Sequence, residues 1–152
     1  MKYLKTYEVK TENKLPPKRY LVMYPIIYDF LVEIKPEQRY IVRNNYPAHY
    51  KSGKGLAFGF GSKILFSIKV ISTIISTEIE MNCCSTSSKQ LSNDIIDFLR
   101  DIFKKYSFYE SKTTCFYCFY YFDIYNDNIQ SIKNDLTKEN FEMFVDAKKY
   151  NL

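Results

Sequence analysis

Tryptophan is absent from the chain, histidine occurs once, arginine and glycine four times each, and alanine three times. Each scarcity closes off a class of function. The lone His49 has no serine, cysteine or acid beside it in a recognised motif, so the parts of an acid–base or nucleophilic centre are not laid out along the chain. With four arginines against 18 lysines, the side chain that forks onto phosphates and guanine edges is in short supply. The formal charge of +5 therefore rests mainly on hydrated point charges suited to solvation and non-specific steering. No stretch approaches about 18 uncharged apolar residues, and Met1 to Lys14 alternates charges without an apolar segment. No signal peptide and no membrane insertion are expected, which leaves an intracellular protein, cytoplasmic or nuclear.

Against these scarcities stand 15 tyrosines, 12 phenylalanines, 16 isoleucines and 18 lysines. Tyr, Phe, Ile, Lys and Asn are the residues of AT-rich codons, so an AT-rich genome explains much of the skew and discounts it as a sign of function. Hydrophobic residues at 46% and charged residues at 26% are ordinary globular values, which disfavours both disorder and a membrane class. A chain of 152 residues buries roughly 70% of its unfolded surface and needs no staples.

Along the chain, residues 1–17, ending in Pro16-Pro17, read as a partly ordered arm, and residues 18–152 as a single domain. Arg19 to Ile34 is rich in β-formers interrupted by Pro25, which predicts a bent or edge strand. Lys35 to Gln38 predicts a hairpin turn into a strand at Tyr40-Ile41-Val42. After a loop over Asn44 to Lys54, Leu56 to Phe60 reads as a strand closed by Gly61-Ser62. Between residues 63 and 82 the apolar parity switches near Ser72-Thr73, which predicts a turn or bulge. Ser85 to Lys89 is a polar loop. Ile95, Leu99, Ile102, Phe103 and Tyr106 recur at the helical period, with Ser92 or Asn93 as cap, Asp94 in the first turn and Lys104-Lys105 in the last.

Thr113 to Tyr125 is apolar on both parities through Cys115 to Phe122, the mark of a central strand covered on both faces. Asn126-Asp127-Asn128 predicts a turn, with residues 129–133 pairing back. Thr137 caps a last helix carrying Phe141, Phe144 and Val145 on one face. The order predicts an α+β fold, mainly an antiparallel sheet of five to six strands with two helices in the C-terminal half. An OB-like barrel is the alternative closure.

Four cysteines invite a zinc reading, but adjacent Cys83 and Cys84 do not readily turn to one metal, and Cys115 and Cys118 fall on opposite strand faces. Reduced, buried thiols are expected instead, with no metal and no cofactor. Gly53-Lys54 resembles part of a phosphate-binding loop, yet Gly55 stands where Ser or Thr must hold magnesium and Ala48 where the first glycine belongs. The same stretch partly resembles the RNP1 segment of RNA-recognition motifs at Lys54, Gly55, Ala57 and Phe58. That resemblance implies strand aromatics stacking on bases. Leu56, Gly59 and Gly61 depart from it, and no helix is predicted between this strand and the one before.

The best candidate binding region joins aromatics to lysines at Tyr46, His49, Tyr50, Lys51, Lys54, Phe58, Phe60 and Lys63. The alternative for its rings is a glycine hairpin whose aromatics fill the core. The expected function is a non-enzymatic accessory subunit that anchors a protein partner through exposed aromatics on the sheet or last helix. A single-stranded nucleic-acid binder using residues 46–63 is the second expectation. An enzyme with a site assembled around His49 is the third, since Asp29, Glu33, Glu78, Glu80 and Asp97 are spaced as solvated faces are.

Overall fold

The computed structural model describes residues 23–46, 54–83, 90–113 and 118–151, with the backbone alone for residues 45, 46, 54 and 118. In chain order the elements are α1 (Met23–Ile34), β1 (Tyr40–Tyr46), β2 (Lys54–Phe60), β3 (Lys63–Ser72), β4 (Ser76–Cys83), α2 (Gln90–Tyr106), β5 (Ser107–Thr113), β6 (Cys118–Tyr125), a 3-10 turn (Asn126–Asn128), α3 (Ile129–Asp135) and α4 (Lys138–Lys149). The six strands form one antiparallel sheet in the order β1-β2-β3-β4-β6-β5. The α+β class is thus as expected. The barrel is not: the sheet is open, with β1 and β5 as its edges.

The stretch read as a bent strand over 19–34 is a helix over its described part. Met23, Ile26, Ile27, Phe30, Leu31 and Ile34 are buried along one stripe at helical spacing. β-formers packed at that period follow the period, and Pro25 sits in the first turn, where its missing N–H has no partner to lose. Lys35 to Gln38 accordingly joins a helix to β1 rather than two strands, and its turn is closed by Tyr40 N–H donating to the Glu37 carbonyl at 3.1 Å. Residues 129–133 likewise do not pair back. They continue from the 3-10 turn into α3, which buries Ile129 and Ile132.

Other expectations hold. Gly61 has φ +63° in the two-residue turn between β2 and β3, a conformation that glycine adopts without cost. The parity switch near Ser72-Thr73 is the turn between β3 and β4. Thr137 Oγ1 accepts from Asn140 N–H at 3.1 Å and caps α4. Helix α2 starts at Gln90, ahead of the predicted cap, so Ser92 and Asp94 lie inside it and are buried. Asp94 is not spent on the helix dipole: its Oδ1 accepts from Gln90 Nε2 and from Lys148 Nζ, both at 3.0 Å. Lys148 also reaches Asp97 at 2.6 Å. Burial works against the Lys148 charge, but the hydrogen bonds to Asp97 and Asp94 prevail and raise its pKa. This knot ties α4 to α2.

The helices share one face of the sheet. There Phe30 of α1, Phe98 of α2 and Phe141 of α4 meet ring to ring, with centroids 5.5 to 6.1 Å apart. Such pairs add roughly 0.5–1.5 kcal/mol each beyond the area they bury. Beneath them lie Leu56, Phe58, Phe66, Ile68, Ile79, Met81, Phe122 and Ile124, all buried. β6 is a central strand, flanked by β4 and β5. Its even positions from Tyr120 to Ile124 are buried, whereas Phe119, Tyr121 and Asp123 on the opposite face are half-buried. The expected cover on both faces is therefore partial. Among the described residues no helix is long and apolar enough to cross a membrane. The arm of residues 1–17 and the loop from Ser85 to Lys89 lie outside the described residues.

Candidate protein-interaction surface

The region chosen from sequence divides on the fold. Tyr46 and Lys54 have only their backbone described, in β1 and β2, with Tyr46 opposite Gly55. His49, Tyr50 and Lys51 lie outside the described residues, as do Cys84 and Cys115. Phe58, Phe60 and Lys63 come together on the β2–β3 hairpin. Phe58 is fully buried, its ring centroid 5.6 Å from that of Tyr40 and 5.2 Å from that of Phe66, so it has no open face to offer a base. This corrects its role as a binding residue, and for this ring the core-filling alternative is the observed one. Phe60 is half-buried, packed on Tyr40, with the Arg39 guanidinium 4.5 Å from its ring centroid. Lys63 is exposed opposite Phe60. Cys83 is buried and stands opposite Cys118 across β4 and β6. Among the described residues no group of three or more His, Cys, Asp or Glu is placed to hold a metal ion.

Exposed apolar side chains concentrate elsewhere. Ile74 and Ile75 are 60% and 68% exposed, and Phe108, Tyr109 and Tyr125 close to half. Three relationships bring them to one end of the sheet. Ser76, next to Ile75, pairs with Tyr125 across β4 and β6. Phe108 stacks on Tyr125 at 4.1 Å between ring centroids. Tyr109 lies opposite Asp123, with its ring edge-on to Tyr121 at 5.9 Å. A single exposed apolar side chain needs no explanation, but a contiguous group does. Val32, Ile41, Met143 and Tyr150, by contrast, are exposed on other elements.

The tip is rigidly built. Thr73 Oγ1 accepts from the backbone N–H groups of Ile75 at 3.3 Å and Ser76 at 3.0 Å, and Thr73 N–H donates to the Ser76 carbonyl at 2.8 Å. Asn126 holds the same turn from the neighbouring strand end. Its Nδ2 donates to the carbonyls of Thr73 at 3.0 Å and Ile74 at 3.1 Å, and its backbone N–H donates to that of Ile75 at 2.9 Å. Its Oδ1 in turn accepts from the fully buried Thr77 hydroxyl at 2.8 Å. Two isoleucines are thus presented outward on a turn held by these hydrogen bonds.

Acids border the rings. Tyr121 sits half-buried on the sheet face away from the helices, opposite Glu80, with Glu78 and Asp123 adjacent. Its phenol is pushed up to about 12, first by burial and then by the negative charge of Glu78 and Asp123. Around Tyr121 the sheet thus carries Glu78, Glu80 and Asp123, with Lys69 opposite Glu80 across β3 and β4.

Sequence reasoning missed this surface, although a signal existed. Ile74-Ile75 is an apolar pair placed where Ser72-Thr73 and Ser76 mark a turn, and turns project their side chains into solvent. Phe108 and Tyr109 lie on β5, an edge strand exposed from Phe108 onward and without the alternation that would have announced it. The chain matches no protein-family model, no curated protein and no solved structure.

Proposed function

We propose that the protein is a non-enzymatic binding subunit whose partner is another protein, seated on the tip formed by Ile74, Ile75, Phe108, Tyr109 and Tyr125. The observation that carries this reading is the gathering of these exposed apolar side chains at one end of the sheet, on a stacked ring pair and a hydrogen-bonded turn. Preordered aliphatic and aromatic side chains lose little freedom on docking, which is why such residues anchor interfaces. Glu78 and Asp123, paired across β4 and β6 next to Tyr109 and Tyr125, specify the partner's chemistry further: an apolar segment flanked by lysine or arginine. The same acids repel phosphate, which favours a protein over a nucleic acid at this place.

The test compares wild-type protein with an Ile74→Lys/Ile75→Lys variant as bait in extract of the native source, alongside anisotropy measurements with labelled single-stranded DNA and RNA. The proposal expects one protein retained by the wild type and lost by the variant, and no nucleic-acid affinity that depends on the tip. Equal capture by both baits, or nucleic-acid binding abolished by the tip substitutions, contradicts it.

A further inference from the structure

Strand β5 ends the sheet. Among the described residues it pairs with β6 on one side only, leaving a row of backbone N–H and C=O groups on the other. Proteins commonly blunt such edges with charged side chains, lysine above all, or with bulges. β5 carries Glu110 and Lys112, opposite charges either side of Ser111, all exposed, with Lys112 Nζ 5.4 Å from the Tyr120 ring centroid, so its charges blunt pairing with strands in general but are complementary to their own reverse. Among the described residues Glu110 has no ion-pair partner.

We infer that β5 pairs with β5 of a second copy, antiparallel about a two-fold axis at Ser111, to make a dimer with one sheet running through both molecules. In this register Glu110 faces Lys112 of the second copy, and Lys112 faces its Glu110, so the same ion pair forms twice. Tyr109 faces Thr113 of the second copy. Sliding the centre to Glu110 would set two carboxylates directly opposite, and centring on Lys112 would set two ammonium groups opposite, so charge selects the Ser111 register. The other edge lacks this self-complementarity. β1 bears Arg43 and no acid; each edge strand has one register shift, between Arg43 and Tyr46 in β1 and between Ser107 and Tyr109 in β5, the latter lying ahead of the Tyr109–Thr113 stretch that pairs with the second copy. A two-fold contact on β5 also closes, whereas joining β5 to β1 of the next copy would build an open filament.

This goes beyond the proposed partner surface, and the two can fail separately. The dimer is tested at Glu110 and Lys112, the partner surface at Ile74 and Ile75. Sedimentation of the full chain decides it. The wild type is expected to dimerise reversibly. Glu110→Lys alone and Lys112→Glu alone each place like charges opposite at two points and should raise the dissociation constant about tenfold or more. Mixed one to one, the two variants again oppose unlike charges and should recover dimerisation, as a heterodimer. Circular dichroism confirms that each variant is folded. A wild type that stays monomeric, an assembly larger than a dimer, single variants that dimerise like the wild type, or a mixture that stays monomeric each overturns the inference.

Discussion

The ring of Phe108 stacks on that of Tyr125 with 4.1 Å between centroids and 25° between planes, although each side chain is close to half exposed. The pair joins the start of β5 to the end of β6, beside the turn that projects Ile74 and Ile75. Apolar surface ordered in this way, yet left in water, is what the proposed partner site rests on.

Phe58 belongs to the core and not to a binding platform. Phe58→Ala should cost about 3–5 kcal/mol of stability in urea unfolding, because it removes a ring packed between Tyr40 and Phe66. A loss under about 1 kcal/mol would place the ring at the surface instead.

Asn126 should matter to the tip more than its polar surface position suggests. Asn126→Ala removes donors from two carbonyls and leaves the buried Thr77 hydroxyl without this acceptor. The expected cost is about 1–3 kcal/mol by chemical denaturation, with faster amide exchange from Ile74 to Thr77. Unchanged exchange in that turn would contradict the clamp.

Gly59 is required by close approach. A Cβ there would stand 2.5 Å from the Lys63 carbonyl oxygen, in the β2–β3 hairpin where the register shifts between Phe58 and Gly59. Gly59→Ala should cost about 1–3 kcal/mol and lower the melting temperature, whereas a neutral result would mean that the hairpin relaxes freely.

Much of this was legible in the chain and some was not, for identifiable reasons. Helix α2 showed because Ile95, Leu99 and Phe103 repeat at one period with lysines in the last turn. The β3–β4 turn showed through a change of parity, and the cap of α4 through Thr137. Helix α1 was misread because residue type was weighed above spacing: Ile26, Ile27, Phe30 and Leu31 favour strands or helices equally once buried on one stripe. β5 was missed because an edge strand with exposed positions on both faces carries no alternation to detect. The surface at the tip depends on that strand, so it could not be assembled without it.

Tyr121 supplies a pH dependence. Its folded pKa lies near 12 against an ordinary value of 10, raised by burial and by Glu78 and Asp123. The neutral phenol is thus favoured in the folded state. The associated stability is fully present below about pH 10 and is lost as the pH climbs toward 12, because the unfolded chain releases its proton first. Denaturant midpoints across that window should fall less steeply for Tyr121→Phe than for the wild type. Parallel slopes would remove Tyr121 from the account.

The most direct test of the partner surface is site-specific photocrosslinking in extract of the native source, with a benzophenone side chain placed at position 75 or 125 and, as controls, at the exposed Lys63 and Met143. The account predicts one protein crosslinked from both tip positions and from neither control, with the product lost when Phe108 is changed to Asp. Crosslinking of that protein equally from positions 63 and 143, or none from 75 and 125, would contradict it.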